Sequence, residues 1–84
     1  MMERRWLDRK DASVPGWITF GPNRTAVFCL VRNLSRLGAK LEIEEVIPLP
    51  DTFSLTMEGE HKTYRAQTSW RQDFEIGIQF HGTE

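Results

Sequence analysis

The sequence predicts an all-β domain, a small six-stranded antiparallel β-barrel with a flexible N-terminal arm. Three observations lead there. Apolar and polar residues alternate with period two along most of the chain, the mark of strands with one buried face. Turn-forming residues separate these runs at short intervals. No stretch carries a 3.6-residue apolar period that would support a helix. Six short strands must hide their edges, and closing the sheet on itself does so.

The elements follow in order. Residues 1–14 are read as the arm and residues 15–84 as the barrel. Trp17 to Phe20 reads as a short first strand, closed by a turn at Gly21-Pro22-Asn23. Thr25 to Val31 is apolar enough to predict a more fully buried second strand. Leu41 and Ile43 alternate with Lys40, Glu42 and Glu44 in a third. Pro48 and Pro50 break the chain before the fourth, because proline has no N–H to give a ladder. There Phe53, Leu55 and Met57 alternate with Ser54, Thr56 and Glu58, and Glu58-Gly59-Glu60 turns the chain. Tyr64, Ala66, Thr68 and Trp70 are assigned to one face of the fifth strand. After a turn at Gln72-Asp73, Phe74, Ile76, Ile78 and Phe80 are assigned to one face of the sixth.

Composition narrows the function. A chain of 84 residues makes one domain and buries only roughly 60–65% of its surface. A deep catalytic cleft between domains is not expected. The formal net charge is −1, which argues against a general nucleic-acid binder. Eight of the eleven basic residues are Arg, whose planar fork suits phosphates and purine edges. Cys29 is the only cysteine, so no intrachain disulfide forms, consistent with a reducing compartment. Met1 to Lys10 has no apolar core of the kind a signal peptide needs, and no apolar run approaches the roughly 20 residues of a membrane span. A cytoplasmic protein without membrane insertion is the expectation.

Catalytic constellations are thin. His61 and His81 have no acidic partner at a recognisable spacing, and Cys29 lies in the most apolar strand, where a thiol behaves as a small hydrophobe. No glycine loop of the phosphate-cradling type is present. The expectation is a protein that is not an enzyme and holds no metal or cofactor.

Two polar clusters remain. Glu3-Arg4-Arg5-Trp6-Leu7-Asp8-Arg9-Lys10 precedes the first strand, and Asn33-Leu34-Ser35-Arg36-Leu37-Gly38 joins the second to the third. Here the chain resembles the PilZ family. Arg5 and Arg9 match its RxxxR signature, and Asn33, Ser35 and Gly38 match its [DN]xSxxG signature. Trp70-Arg71 and the run Phe74-Glu75-Ile76-Gly77-Ile78-Gln79-Phe80 resemble the family's closing strands, so the likeness spans nearly the whole chain. The resemblance implies a split-barrel type of fold and a bacterial receptor or adaptor for the second messenger cyclic di-GMP. It implies ligand contacts from Arg5, Arg9, Asn33, Ser35 and Gly38, with Arg4 and Trp6 as further candidates.

The chemistry agrees. An arginine fork matches the O6 and N7 acceptors of guanine and matches phosphate equally. Trp6 is either a stacking platform or a tether against the barrel. Gly38 is expected either to adopt a positive φ or to let a ligand approach closely. On the residues alone, Asn33 and Ser35 could equally form a local turn that only shapes the chain. The alternative function is therefore a PilZ-like barrel that has lost nucleotide binding and docks on a protein. Either way the implied partner is a downstream protein, with a homodimer left open.

Overall fold

A computed structural model describes residues 13–84. Six strands make up the described chain: β1 (Ser13–Phe20), β2 (Thr25–Arg32), β3 (Gly38–Ile43), β4 (Thr52–Met57), β5 (Thr63–Gln72) and β6 (Glu75–Thr83). They close into a barrel in the order β1-β2-β3-β6-β5-β4, with β4 returning to β1. Every pairing is antiparallel. The fold is the all-β, six-stranded antiparallel barrel that the alternation predicts.

The core follows from that alternation. Ile18, Cys29, Val31, Leu41, Ile43, Phe53, Leu55, Met57, Ala66, Ile76 and Ile78 all lie inside. Their strand neighbours face outward, because successive side chains point to opposite sides of a sheet. Val14, Phe20, Leu34, Leu49, Tyr64 and Phe80 close the ends of this core from partly buried positions. No buried polar or charged side chain interrupts it among the described residues. Burial without a charged neighbour pushes the Cys29 thiol up to about 12, as expected for a group whose anion would lose its hydration.

The turns use the residues that the sequence singles out. Gly21 and Arg24 both take positive φ in the loop between β1 and β2, closed by Arg24 N–H donating to the Gly21 carbonyl at 3.1 Å. Asp73 adopts φ 49° in the two-residue connection of β5 and β6, where the right-handed twist of a hairpin favours positive φ. The connection from β3 to β4 carries Pro48 and Pro50 across one end of the barrel. It is held there by Arg71, which donates to the Ile47 carbonyl, and by Thr68 N–H, which donates to the Asp51 carbonyl at 2.8 Å.

Three expectations need correction. β1 starts at Ser13 rather than Trp17. Pro15 is tolerated because β1 has its full pairing with β4 only from Gly16 to Thr19, so the absent N–H lies near the end of that ladder. β2 is not buried on both faces: Ala26 and Phe28 are exposed while Cys29 and Val31 are inside. Finally, Trp70 does not share a face with Ala66. An irregularity between Thr68 and Trp70 shifts the register, so that Thr68 opposes Ile78 while Trp70 opposes Gly77. One extra residue in a strand reverses the side on which the next side chain emerges, and Trp70 therefore lies outside. Phe74 likewise falls in the turn and is exposed, leaving Ile76 and Ile78 to the core.

Candidate functional site

The segment Asn33 to Leu37 leaves β2 and returns as β3 through a turn organised by Ser35. Ser35 Oγ accepts from Leu37 N–H at 3.2 Å and from Gly38 N–H at 3.3 Å. Ser35 N–H in turn donates to the Gly38 carbonyl at 2.9 Å. Asn33 takes φ 52° at the point where the chain leaves β2. Asparagine is among the few residues that enter the left-handed region at modest cost. The Leu37 carbonyl accepts from Phe80 N–H at 2.9 Å, which fastens the turn to β6.

Gly38 has a different reason from the first one expected. Its φ is not positive; a Cβ built there would lie 2.1 Å from the Ile78 carbonyl oxygen and 3.1 Å from its carbon. The glycine allows β3 to approach β6 at the edge of the turn. All three motif residues thus have a role in shaping the chain, and Ser35 spends much of its hydrogen-bonding capacity within the turn.

The same turn forms one wall of a shallow depression of about 350 Å³ on the outside of β3, β6 and β5. Asn33, Ser35 and Gly38 line it together with Lys40, Ser69, Trp70, Gly77 and Gln79. Its floor is low because two of the outward positions are glycine. Gly77 pairs with Lys40 on one side and Trp70 on the other. The Trp70 indole lies across it, since a Cβ on Gly77 would meet Trp70 Nε1 at 2.1 Å. Trp70 remains 44% exposed, so part of its ring is open to solvent. Lys40 brings a cation, set against Glu75 at 3.5 Å, and Arg32 pairs with Glu42 at 2.8 Å nearby on β2 and β3. Both pairs are partly solvated, and such contacts are individually weak.

The arrangement offers an aromatic edge, several amide and hydroxyl groups and a cation around two positions that carry no side chain. That combination can seat a planar polar heterocycle with an anionic substituent. It brings together Asn33, Ser35 and Gly38 from the sequence motif. Arg4, Arg5, Trp6 and Arg9 lie outside the described residues. Sequence reasoning did not assign Trp70, Gly77, Lys40 or Gln79 to the site, although a signal was present. A glycine between Ile76 and Ile78 marks a close approach, and counting back across the hairpin from Gln72 and Glu75 puts Trp70 opposite it.

His61 and His81 are both exposed, and no group of three or more His, Cys, Asp or Glu among the described residues is placed to hold a metal ion. No helix among the described residues is long and apolar enough to cross a membrane. No protein-family model, no curated protein and no solved structure matches this chain.

Proposed function

We propose that this protein is a cyclic di-GMP receptor of the PilZ type, seating the nucleotide on the outer wall of the barrel over Gly38, Gly77 and Trp70. The observation that carries the reading is the convergence at one place. The Asn33-x-Ser35-x-x-Gly38 turn, an exposed indole and two outward glycines border the same depression. Arg5 and Arg9 precede β1 at the spacing that the family resemblance associates with the ligand. In this reading Arg5 and Arg9 supply forked contacts to guanine or phosphate, with Arg4 as a further cation. Asn33 and Ser35 border the ligand, Trp70 offers it an aromatic surface, and Lys40 adds positive charge. The signal then passes to a downstream protein.

Calorimetric titration with cyclic di-GMP, with GMP as control, tests the reading. Micromolar or tighter binding, about −8 kcal/mol or better, is the expected result. Arg5→Ala and Arg9→Ala should each weaken it while leaving the melting temperature unchanged, since a hydrogen bond to a charged group contributes about 1.5–3 kcal/mol. Affinity that is unaltered in both variants would remove these arginines from the site.

A second reading is a nucleotide-free interaction module. It is favoured by the internal use of Ser35 and Gly38 and by the solvent-exposed pair Trp17 and Phe28 on the wall of β1 and β2. Absence of heat and of any thermal shift with cyclic di-GMP would select it.

A further inference from the structure

A cavity of about 600 Å³ opens on the wall of β1, β4 and β5, next to the loop that joins β1 to β2. One row of the sheet crosses it: Thr19 on β1 opposes Ser54 on β4, and Ser54 opposes Arg65 on β5. These side chains point outward, because their strand neighbours Ile18, Phe53, Leu55 and Ala66 lie in the core. Thr52 adds a further hydroxyl, and Arg24 enters from the loop. Phe20 and Pro50 give the cavity apolar edges.

Both arginines stand at irregular points of the backbone. Arg24 takes φ 53°, where a Cβ is strained and glycine is not. A turn that needed only this conformation would be better served by glycine, so the strain points to what the Arg24 side chain does. The register of β5 against β6 shifts between Tyr64 and Ala66, at Arg65, and Gly82 on the facing strand takes φ 101°. Bulges of this kind re-aim a side chain. Neither arginine forms an ion pair with another described residue.

The cavity carries one carboxylate of its own. Ser54 Oγ donates to Glu84 Oε2 at 2.5 Å, and Glu84 N–H donates to the Thr63 carbonyl at 2.8 Å, which holds residue 84 beside β5. An anionic oxygen thus already sits on the hydroxyl at the middle of the row.

We propose that this cavity binds a small phosphate ester, gripped by Arg24 and Arg65, with the Glu84 carboxylate competing for the seat on Ser54. Two guanidinium forks and neighbouring hydroxyls ask for more acceptors than a carboxylate has, and a phosphate offers three terminal oxygens. The volume is that of an ordinary small-molecule site. Phe20 and Pro50 receive the organic part of the ester. The cavity lies on a different wall from the depression over Gly77, and the proposal does not rest on the cyclic di-GMP reading.

The experiment is an amide NMR titration of the full chain with phenyl phosphate, inorganic phosphate and succinate. Phenyl phosphate should give saturable shifts at Arg24, Ser54 and Arg65 with a Kd of about 1 mM or tighter, phosphate should bind more weakly, and succinate more weakly still. Shifts that do not saturate, or succinate binding as tightly as phenyl phosphate, overturn the assignment. Arg65→Ala should weaken phenyl phosphate about tenfold, whereas replacing Arg36, exposed and outside the cavity, with Ala should leave it unaltered. Equal losses in the two variants reduce the effect to general charge and overturn the site. Arg24→Gly separates binding from folding: affinity should fall about tenfold while the melting temperature stays level or rises. Unchanged affinity, or a lower melting temperature, returns Arg24 to a structural role. Glu84→Gln should tighten binding several-fold, and unchanged or weaker binding overturns the competition.

Discussion

The wall made by β3, β6 and β5 and the wall made by β1 and β2 enclose the same core, yet they present different chemistry outward. On the first, glycine occupies positions 38 and 77, and a single indole, Trp70, stands among the polar groups of Lys40, Ser69 and Gln79. On the second, Trp17 and Phe28 face each other across the strands in an edge-to-face pair, with ring centroids 5.8 Å apart, each 41% exposed. Pro15, Leu30 and Ala26 continue that apolar stripe in adjoining pairs of the ladder. The inward positions of a barrel strand are dictated by packing, whereas its outward positions are free to acquire function. One wall has used that freedom to drop two side chains and lay the Trp70 indole over Gly77; the other has paired two aromatic rings into a surface of the kind partners bind.

The largest test of the contrast sits at the two glycines, which look alike in sequence. Gly38→Ala should destabilise the barrel by about 3 kcal/mol or more in urea melts, because the new methyl meets the Ile78 backbone and β3 cannot yield without losing its pairing with β6. Gly77→Ala meets the Trp70 ring instead. A side chain can swing aside, so the cost should be about 1 kcal/mol, accompanied by a change in Trp70 fluorescence. Equal costs at the two positions would contradict the distinction between backbone and side-chain contact.

The next test compares neighbours on β2, Phe28 outside and Cys29 inside. Raised to about 12 from 9.0, the thiol favours the folded state fully below pH 9, and this contribution is lost as pH rises toward 12, when the unfolded chain has released a proton that the folded one still holds. Relative to Cys29→Ala, the wild type should lose up to about 1.4 kcal/mol per pH unit across that window. The native thiol should also react with disulfide reagents only as fast as the barrel opens. A parallel pH dependence in both proteins would refute the assignment.

The smallest effect belongs to the outer pair. A double-mutant cycle of Trp17→Ala and Phe28→Ala should give a coupling of about 0.5–1.5 kcal/mol, the usual worth of an aromatic pair beyond its buried area. A coupling near zero would leave the two rings as independent surface residues whose retention needs a partner to explain it.

Much of this protein could be read from the order of its residues. Leu41 and Ile43, Phe53, Leu55 and Met57, and Ile76 and Ile78 alternate with polar neighbours, and all seven are in the core. A period of two leaves few other structures open. Gly21, Gly59 and Asp73 marked turns, and each takes a positive φ there. The motif at Asn33, Ser35 and Gly38 was equally visible, because its residues are local and few. Tertiary structure alone decided the rest. Trp70 looks inward when counted forward from Ala66 and outward over Gly77 when counted back from the hairpin, and only the register shift between Thr68 and Trp70 decides which count applies. Thr25 to Val31 looks uniformly buried, and only the closure of the barrel shows that Phe28 has no layer outside it. Alternation specifies which residues share a face, but one inserted residue reverses it, and which face becomes the inside depends on contacts between strands far apart in the chain.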